Sequence, residues 1–181
     1  MPSPQGITHT IDDIYALPDG ERAELIDGQI YIMAPPNTLH QKISWKLHQE
    51  IGNYIRSKGG NCDVYAAPFV VFLNEDNRNY VEPDISVICD RNKIGELGCC
   101  GAPDWVIEIV SPSTQQMDYG IKLFKYRTAG VREYWIVNPL KSTVTVYDFE
   151  QGSRTSQYIF DDTIPVCIYE DLNINITDLL S

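Results

Sequence analysis

Two carboxylates stand where charge is out of place. Asp84 follows Pro83 inside the apolar run 81–89, and Glu108 interrupts the run 105–110. Burying an ionised carboxylate costs several kcal/mol unless it is paired or binds a cation. If the two runs are neighbouring strands, both side chains converge on one divalent ion, and their hard oxygens suit Mg²⁺ or Mn²⁺. Either residue alone reads equally well as a strand-end carboxylate, solvated or bonded to a backbone N–H. The pair together points to a site.

Lys122 is the third candidate. A helix following the Glu108 strand should pack back over the sheet and bring this ammonium towards the carboxylates. There it can orient a nucleophilic water or stabilise charge on a phosphoryl group. By spacing alone, an i, i+4 ion pair with Asp118 is the simpler reading, worth a few tenths of a kcal/mol. Glu24 is a further carboxylate, read by itself as a polar face residue. His40 and His48 lie two turns apart on one predicted helix, too far for the i, i+4 pairing of a metal site. His40, near the helix start, can reach a phosphate, although partial exposure is the commoner fate of such a histidine. Ser111 to Thr114 reads as a capping turn, since no G-x-S-x-G elbow surrounds it.

The elements that must position these groups are legible in part. Asp27-Gly28 is a two-residue hairpin turn signal, within a hairpin at about 22–34. A short helix at 11–17 precedes it. Leu39, Ile43, Leu47, Ile51 and Ile55 form one stripe of a helix over 37–58, started by Asn37 or Thr38 and stopped by Gly59-Gly60. Strands are expected at 64–73, 81–89 and 104–110, the last covered on both faces. A helix over 114–128 carries Asp118, Lys122 and Tyr126 on one face. A strand at 133–137 and a terminal hairpin (144–149 and 158–160) complete the order. Such a mixture predicts an α/β or α+β fold, a mixed sheet flanked by helices.

The chain has 181 residues, enough for one domain with a core that needs no disulfides. Fourteen Lys and Arg against 25 Asp and Glu give a net charge of −11. That excludes a general basic coat for nucleic acid, but not a local groove. No apolar run spans a membrane, and residues 1–10 lack the regions of a signal peptide. The five cysteines are odd in number with no C-x-x-C spacing, so reduced thiols and a cytoplasmic location are expected. Phosphate-loop, dinucleotide and H-E-x-x-H motifs are absent.

Several runs then resemble a known family. Val81-Glu82-Pro83-Asp84-Ile85-Ser86-Val87 is similar to the PD strand of the PD-(D/E)XK nuclease superfamily. The run from Gly101 to Thr114, then Asp118 to Tyr126 and Ala129 to Val137, resemble the signature of the Uma family of restriction endonucleases within it. Glu24 to Gly28, Pro35-Pro36 and His40 also fit. The resemblance covers about residues 11–180 and is most specific between Ala102 and Pro139. It implies a restriction-endonuclease-like core over about 37–139, with an N-terminal hairpin and a C-terminal hairpin extension over 140–181, all one domain spanning 1–181. It also implies a Mg²⁺ (or Mn²⁺) cofactor and hydrolysis of nucleic-acid phosphodiesters. Asp84 and Glu108 match the metal-binding carboxylates. The superfamily places its lysine two residues after Glu108, where this chain has Val110. The family resembles members whose lysine has moved to the next helix, which points to Lys122. Glu24 and His40 match further positions as accessory residues.

Three readings of function follow. The first is a metal-dependent DNA endonuclease, with a homodimer cutting both strands. The second, favoured by the net charge and the displaced lysine, is a catalytically degenerate nuclease fold that binds nucleic acid or a protein partner. The third, hydrolysis of a small phosphorylated molecule, has no recognition motif behind it.

Overall fold

The computed structural model describes residues 6–181; residues 1–5 of the expected 1–181 domain lie outside the described residues. The elements, in order, are α1 (Ile11–Tyr15), β1 (Ala23–Ile26), β2 (Gln29–Ile32), α2 (Thr38–Lys58), β3 (Asp63–Ala66), β4 (Val71–Phe72) and β5 (Ile85–Ile88). A single 3₁₀ turn at Arg91–Lys93 leads to β6 (Cys99–Cys100), β7 (Trp105–Ile109), α3 (Gln115–Tyr119) and α4 (Ile121–Ala129). The chain ends with β8 (Glu133–Asn138), β9 (Thr143–Asp148), β10 (Arg154–Ile159), β11 (Ile164–Pro165), β12 (Asn173–Ile174) and α5 (Ile176–Leu180).

Six strands form the central sheet in the order β10-β9-β8-β7-β5-β3. Only β7 and β8 run parallel; the other pairs are antiparallel. A parallel pair needs a crossover, and α3 and α4 supply it. The result is the mixed sheet flanked by helices that the element order predicts.

The period-2 alternation of β7 divides its side chains between two cores. Trp105, Ile107 and Ile109 meet α2 through Ile43, Leu47, Ile51 and Ile55. Val106 faces the opposite layer, with Tyr126 of α4 and Tyr134 and Ile136 of β8. Each fully buried aliphatic or aromatic side chain contributes about 1.5–3 kcal/mol, so both helices are held firmly over the same strand. Leu39, expected in the α2 stripe, is instead exposed on its first turn. Asn37 caps α2 by accepting from the His40 amide at 2.9 Å, and Gly59 ends it in the left-handed conformation. Asp27 (φ 50°) and Gly28 (φ 78°) make the β1–β2 turn.

Several expected boundaries are corrected. The strand expected over 64–73 breaks into β3 and β4 around Pro68, which has no N–H for a ladder. That over 81–89 starts only after Pro83, at Ile85. The helix expected over 114–128 divides at Gly120 (φ −117°, ψ −94°), where a Cβ would come within 2.8 Å of the Gln116 carbonyl oxygen. The C-terminal hairpin, β9–β10, is built into the sheet: β9 pairs along all of β8, and Val144, Val146 and Ile164 join the α2-side core.

The expectation of five reduced cysteines is also corrected. In the β3–β5 register Asp63 lies opposite Ile88, so Cys62 and Cys89 face each other one step further on, and they form a disulfide. Cys99, Cys100 and Cys167 are free. Cysteine spacing in sequence carries no information about which strands pair. Among the described residues, no helix is long and apolar enough to cross a membrane.

Candidate active site

Asp84 and Glu108 meet because of strand register. Ile85 pairs with Ile107 across β5 and β7, so the preceding Asp84 falls beside Glu108. Asp84 Oδ2 accepts from the Ile109 amide at 2.7 Å, and the Asp84 amide points at Glu108 Oε2 at 3.5 Å. Pro83 has no N–H for the ladder, β5 begins two residues later, and Asp84 between them is half-buried and lines the cleft.

Lys122 enters from the crossover. Its Nζ donates to Glu108 Oε1 at 2.9 Å and to Glu24 Oε1 at 3.0 Å. Asp118 Oδ1, one turn earlier, lies 3.9 Å away. The simple surface pair with Asp118 is therefore not what the fold builds: Lys122 is buried, as are both of its closer partners. Burial opposes its charge, but Glu108, Glu24 and Asp118 outweigh that and hold its pKa well above the ordinary lysine value. An ammonium has three N–H groups. Glu24 Oε2 also lies 2.8 Å away, so the two closer carboxylates surround the ammonium and Asp118 is a more distant third.

Glu24 is likewise more than a polar face residue. It sits on β1, buried, where Oε1 also accepts from the Glu82 amide at 2.9 Å. The β1–β2 hairpin thus clamps the lysine against the sheet. Tyr126, one turn after Lys122, donates to Glu108 Oε1 at 2.6 Å. Burial, with Lys122 opposing, pushes the Glu108 pKa well above the usual carboxylate value. Burial also raises Asp118, to about 6. Tyr126 and Asp118 were legible only as companions of Lys122 on one helical face; nothing in the type of Tyr126 announced its contact with Glu108.

His40 arrives from the opposite layer, on the first turn of α2. Its Nε2 lies 3.2 Å from Asp84 Oδ2, while Nδ1 is buried without a partner among the described residues. Burial lowers its basicity, but the hydrogen bond and charge of Asp84 prevail and raise its pKa above 6.5. His48 also lines the cleft, with its Nε2 3.2 Å from the Val64 carbonyl oxygen. All five candidates, Asp84, Glu108, Lys122, Glu24 and His40, line one cleft of about 600 Å³. The cleft presents five carboxylates (Glu24, Glu82, Asp84, Glu108 and Asp118) against two permanent cations, Arg22 and Lys122.

The donor set fits a hard divalent ion and not a closed protein cage. No three or more Asp, Glu, His or Cys side chains among the described residues are grouped to enclose a metal. Asp84 Oδ1 accepts no hydrogen bond among the described residues, and Glu108 Oε2 takes only the long contact from Asp84. One lightly engaged oxygen from each of two carboxylates is what Mg²⁺ or Mn²⁺ uses, since such ions keep waters and take substrate oxygens for the remainder.

A mixed sheet with a crossover helix, two carboxylates and a lysine at one cleft defines a nuclease-like α+β fold. The chain belongs to the Uma2 family, described as "Putative restriction endonuclease", whose model matches residues 11–177. It is similar to a crystal structure described as a "putative nuclease belonging to DUF820" from Anabaena variabilis, with a TM-score of 0.76 and 25% identity, covering 94% of this chain and 97% of that one. It is also 30% identical over 128 residues to an uncharacterized protein of Synechocystis sp., a match covering 70% of this chain and 66% of that relative's length.

Proposed function

We propose that this protein is a metal-dependent endonuclease that hydrolyses DNA phosphodiester bonds. The observation that carries the reading is the meeting of Asp84, Glu108 and Lys122, from the start of β5, from β7 and from the crossover, at one cleft. Asp84 and Glu108 would hold Mg²⁺ or Mn²⁺. Such an ion, when bound, lowers the pKa of a coordinated water and offsets charge on the scissile phosphate. Lys122, fixed by Glu24 and Glu108, would present its ammonium to the attacking water or a phosphoryl oxygen. Glu24 keeps that lysine in place. His40 braces Asp84 and holds its carboxylate in the cleft. The acidity of the cleft supports a bound cation, because a phosphodiester approaching five carboxylates meets net repulsion until a cation offsets it.

A second reading, a degenerate nuclease fold that binds nucleic acid or protein without cutting, is favoured by one feature: Lys122 is already neutralised by two buried carboxylates. Calorimetry of Mg²⁺ and Mn²⁺ binding, wild type against Asp84→Asn, separates the two. Metal binding that Asp84→Asn abolishes, together with metal-dependent plasmid nicking, supports the nuclease. Absence of metal binding by the wild type, with oligonucleotide present, leaves the binding role.

A further inference from the structure

One wall of the cleft does no work in the site described above. Ile32 and Trp45 are large apolar residues left exposed, and both line the cleft that holds the carboxylates. Pro35 and Pro36 continue that wall between them. Trp45 is 59% exposed, whereas Trp105 and Trp135 are fully buried. It stands five residues after His40 on α2, and both residues line the cleft. The ammonium of Lys46 lies 5.4 Å from the Trp45 ring centroid and, among the described residues, makes no hydrogen bond or ion pair.

Resting on the nuclease reading, we propose that this wall is a stacking platform for an unpaired base of the DNA strand being cut. The protein's substrate would then be single-stranded DNA, or a frayed or flapped end, rather than intact duplex. Charge argues for this occupant. A duplex carries its phosphates densely on both strands, and a cleft rich in carboxylates opposes it. Base stacking on an aromatic ring draws on no such attraction and tolerates any sequence. One phosphate at the carboxylates and one base on Trp45 require a single, flexible strand. Lys46, whose ammonium lies over the ring, would leave it for the next phosphate as the base takes its place.

Trp45 is the one exposed indole among three, so the part of the emission that Trp45→Phe removes reports the contact. The experiment titrates the full chain with oligo(dT), and with a duplex of equal length, in Ca²⁺ in place of Mg²⁺. Oligo(dT) should quench the emission and bind at least about tenfold more tightly than the duplex. Trp45→Ala should weaken oligo(dT) binding by about 5- to 150-fold, the worth of one stacked base, and Trp45→Phe should restore most of it. Calorimetric Mg²⁺ binding should be the same in Trp45→Ala as in wild type. Equal or tighter duplex binding overturns the proposal. So does an unchanged affinity in Trp45→Ala, or emission from the free protein that shifts with its own concentration, which would mean that a second copy covers the wall. The titration involves no turnover, so the two readings fail separately. Stacking without metal binding removes only the nuclease; metal binding with an inert Trp45 removes only the platform.

Discussion

Lys122 Nζ lies 2.9 Å from Glu108 Oε1, with both side chains buried and Glu24 closing the other side of the ammonium. The lysine is therefore a structural counter-charge as well as a candidate catalytic group. Lys122→Met leaves two carboxylates buried without a cation and should destabilise the fold by about 3–5 kcal/mol. Adding Glu108→Gln to Lys122→Met should recover part of that loss, because one uncompensated charge disappears. Urea unfolding of the single and double variants measures the coupling; additive losses would mean that the two groups do not interact.

Tyr126 tests the same carboxylate from the other side. Its hydroxyl is bonded to Glu108 at 2.6 Å in a fully buried setting. Tyr126→Phe removes one charge-assisted hydrogen bond while keeping the ring against Tyr134. A loss of about 1.5–3 kcal/mol is expected, read from the denaturation midpoint at constant slope.

Stability should be greatest on the acid side of neutrality. The folded pKa of His40 is raised, so its contribution is complete below about 6.5 and is lost as pH rises through the folded value. The folded pKa of Asp118 is raised from 3.8 to about 6, so the folded state binds the extra proton between those values and stability falls as pH rises across them. Both effects have the same sign. Thermal unfolding followed from pH 4 to pH 8 should show a declining profile, with His40→Gln flattening its upper part and Asp118→Asn its lower part. NMR titration of the His40 ring should give a midpoint above 6.5.

The Cys62–Cys89 bond is open to direct chemistry. Thiol titration of the unfolded protein should count three groups without reductant and all five after reduction. The bond closes a segment of 27 residues, a length for which loop entropy gives up to about 3–4 kcal/mol. Reduction should lower the unfolding temperature accordingly; five thiols in the unreduced protein would rule the bond out.

Local pattern carried much of this protein. Four-residue spacing marked α2, alternation and continuous apolarity marked β7, Asp27-Gly28 marked the hairpin, and carboxylates breaking apolar runs marked Asp84 and Glu108. Those signals are local because side-chain period follows directly from backbone geometry. The breaks at Pro68, Pro83 and Gly120 were written in the chain too, but apolar periodicity ran across them and hid them.

What only the tertiary structure decided is pairing across distance. Glu24 and Lys122 are 98 residues apart, and nothing in either neighbourhood names the other. The β5–β7 register joins Asp84 to Glu108, and the β3–β5 register joins Cys62 to Cys89. The two-layer cover of the sheet sends His40 to Asp84 from one face and Lys122 with Tyr126 to Glu108 from the other. A sequence specifies which residues resist water and which bend the chain. Which of them meet depends on strand order and register, and those are settled only when the whole core packs.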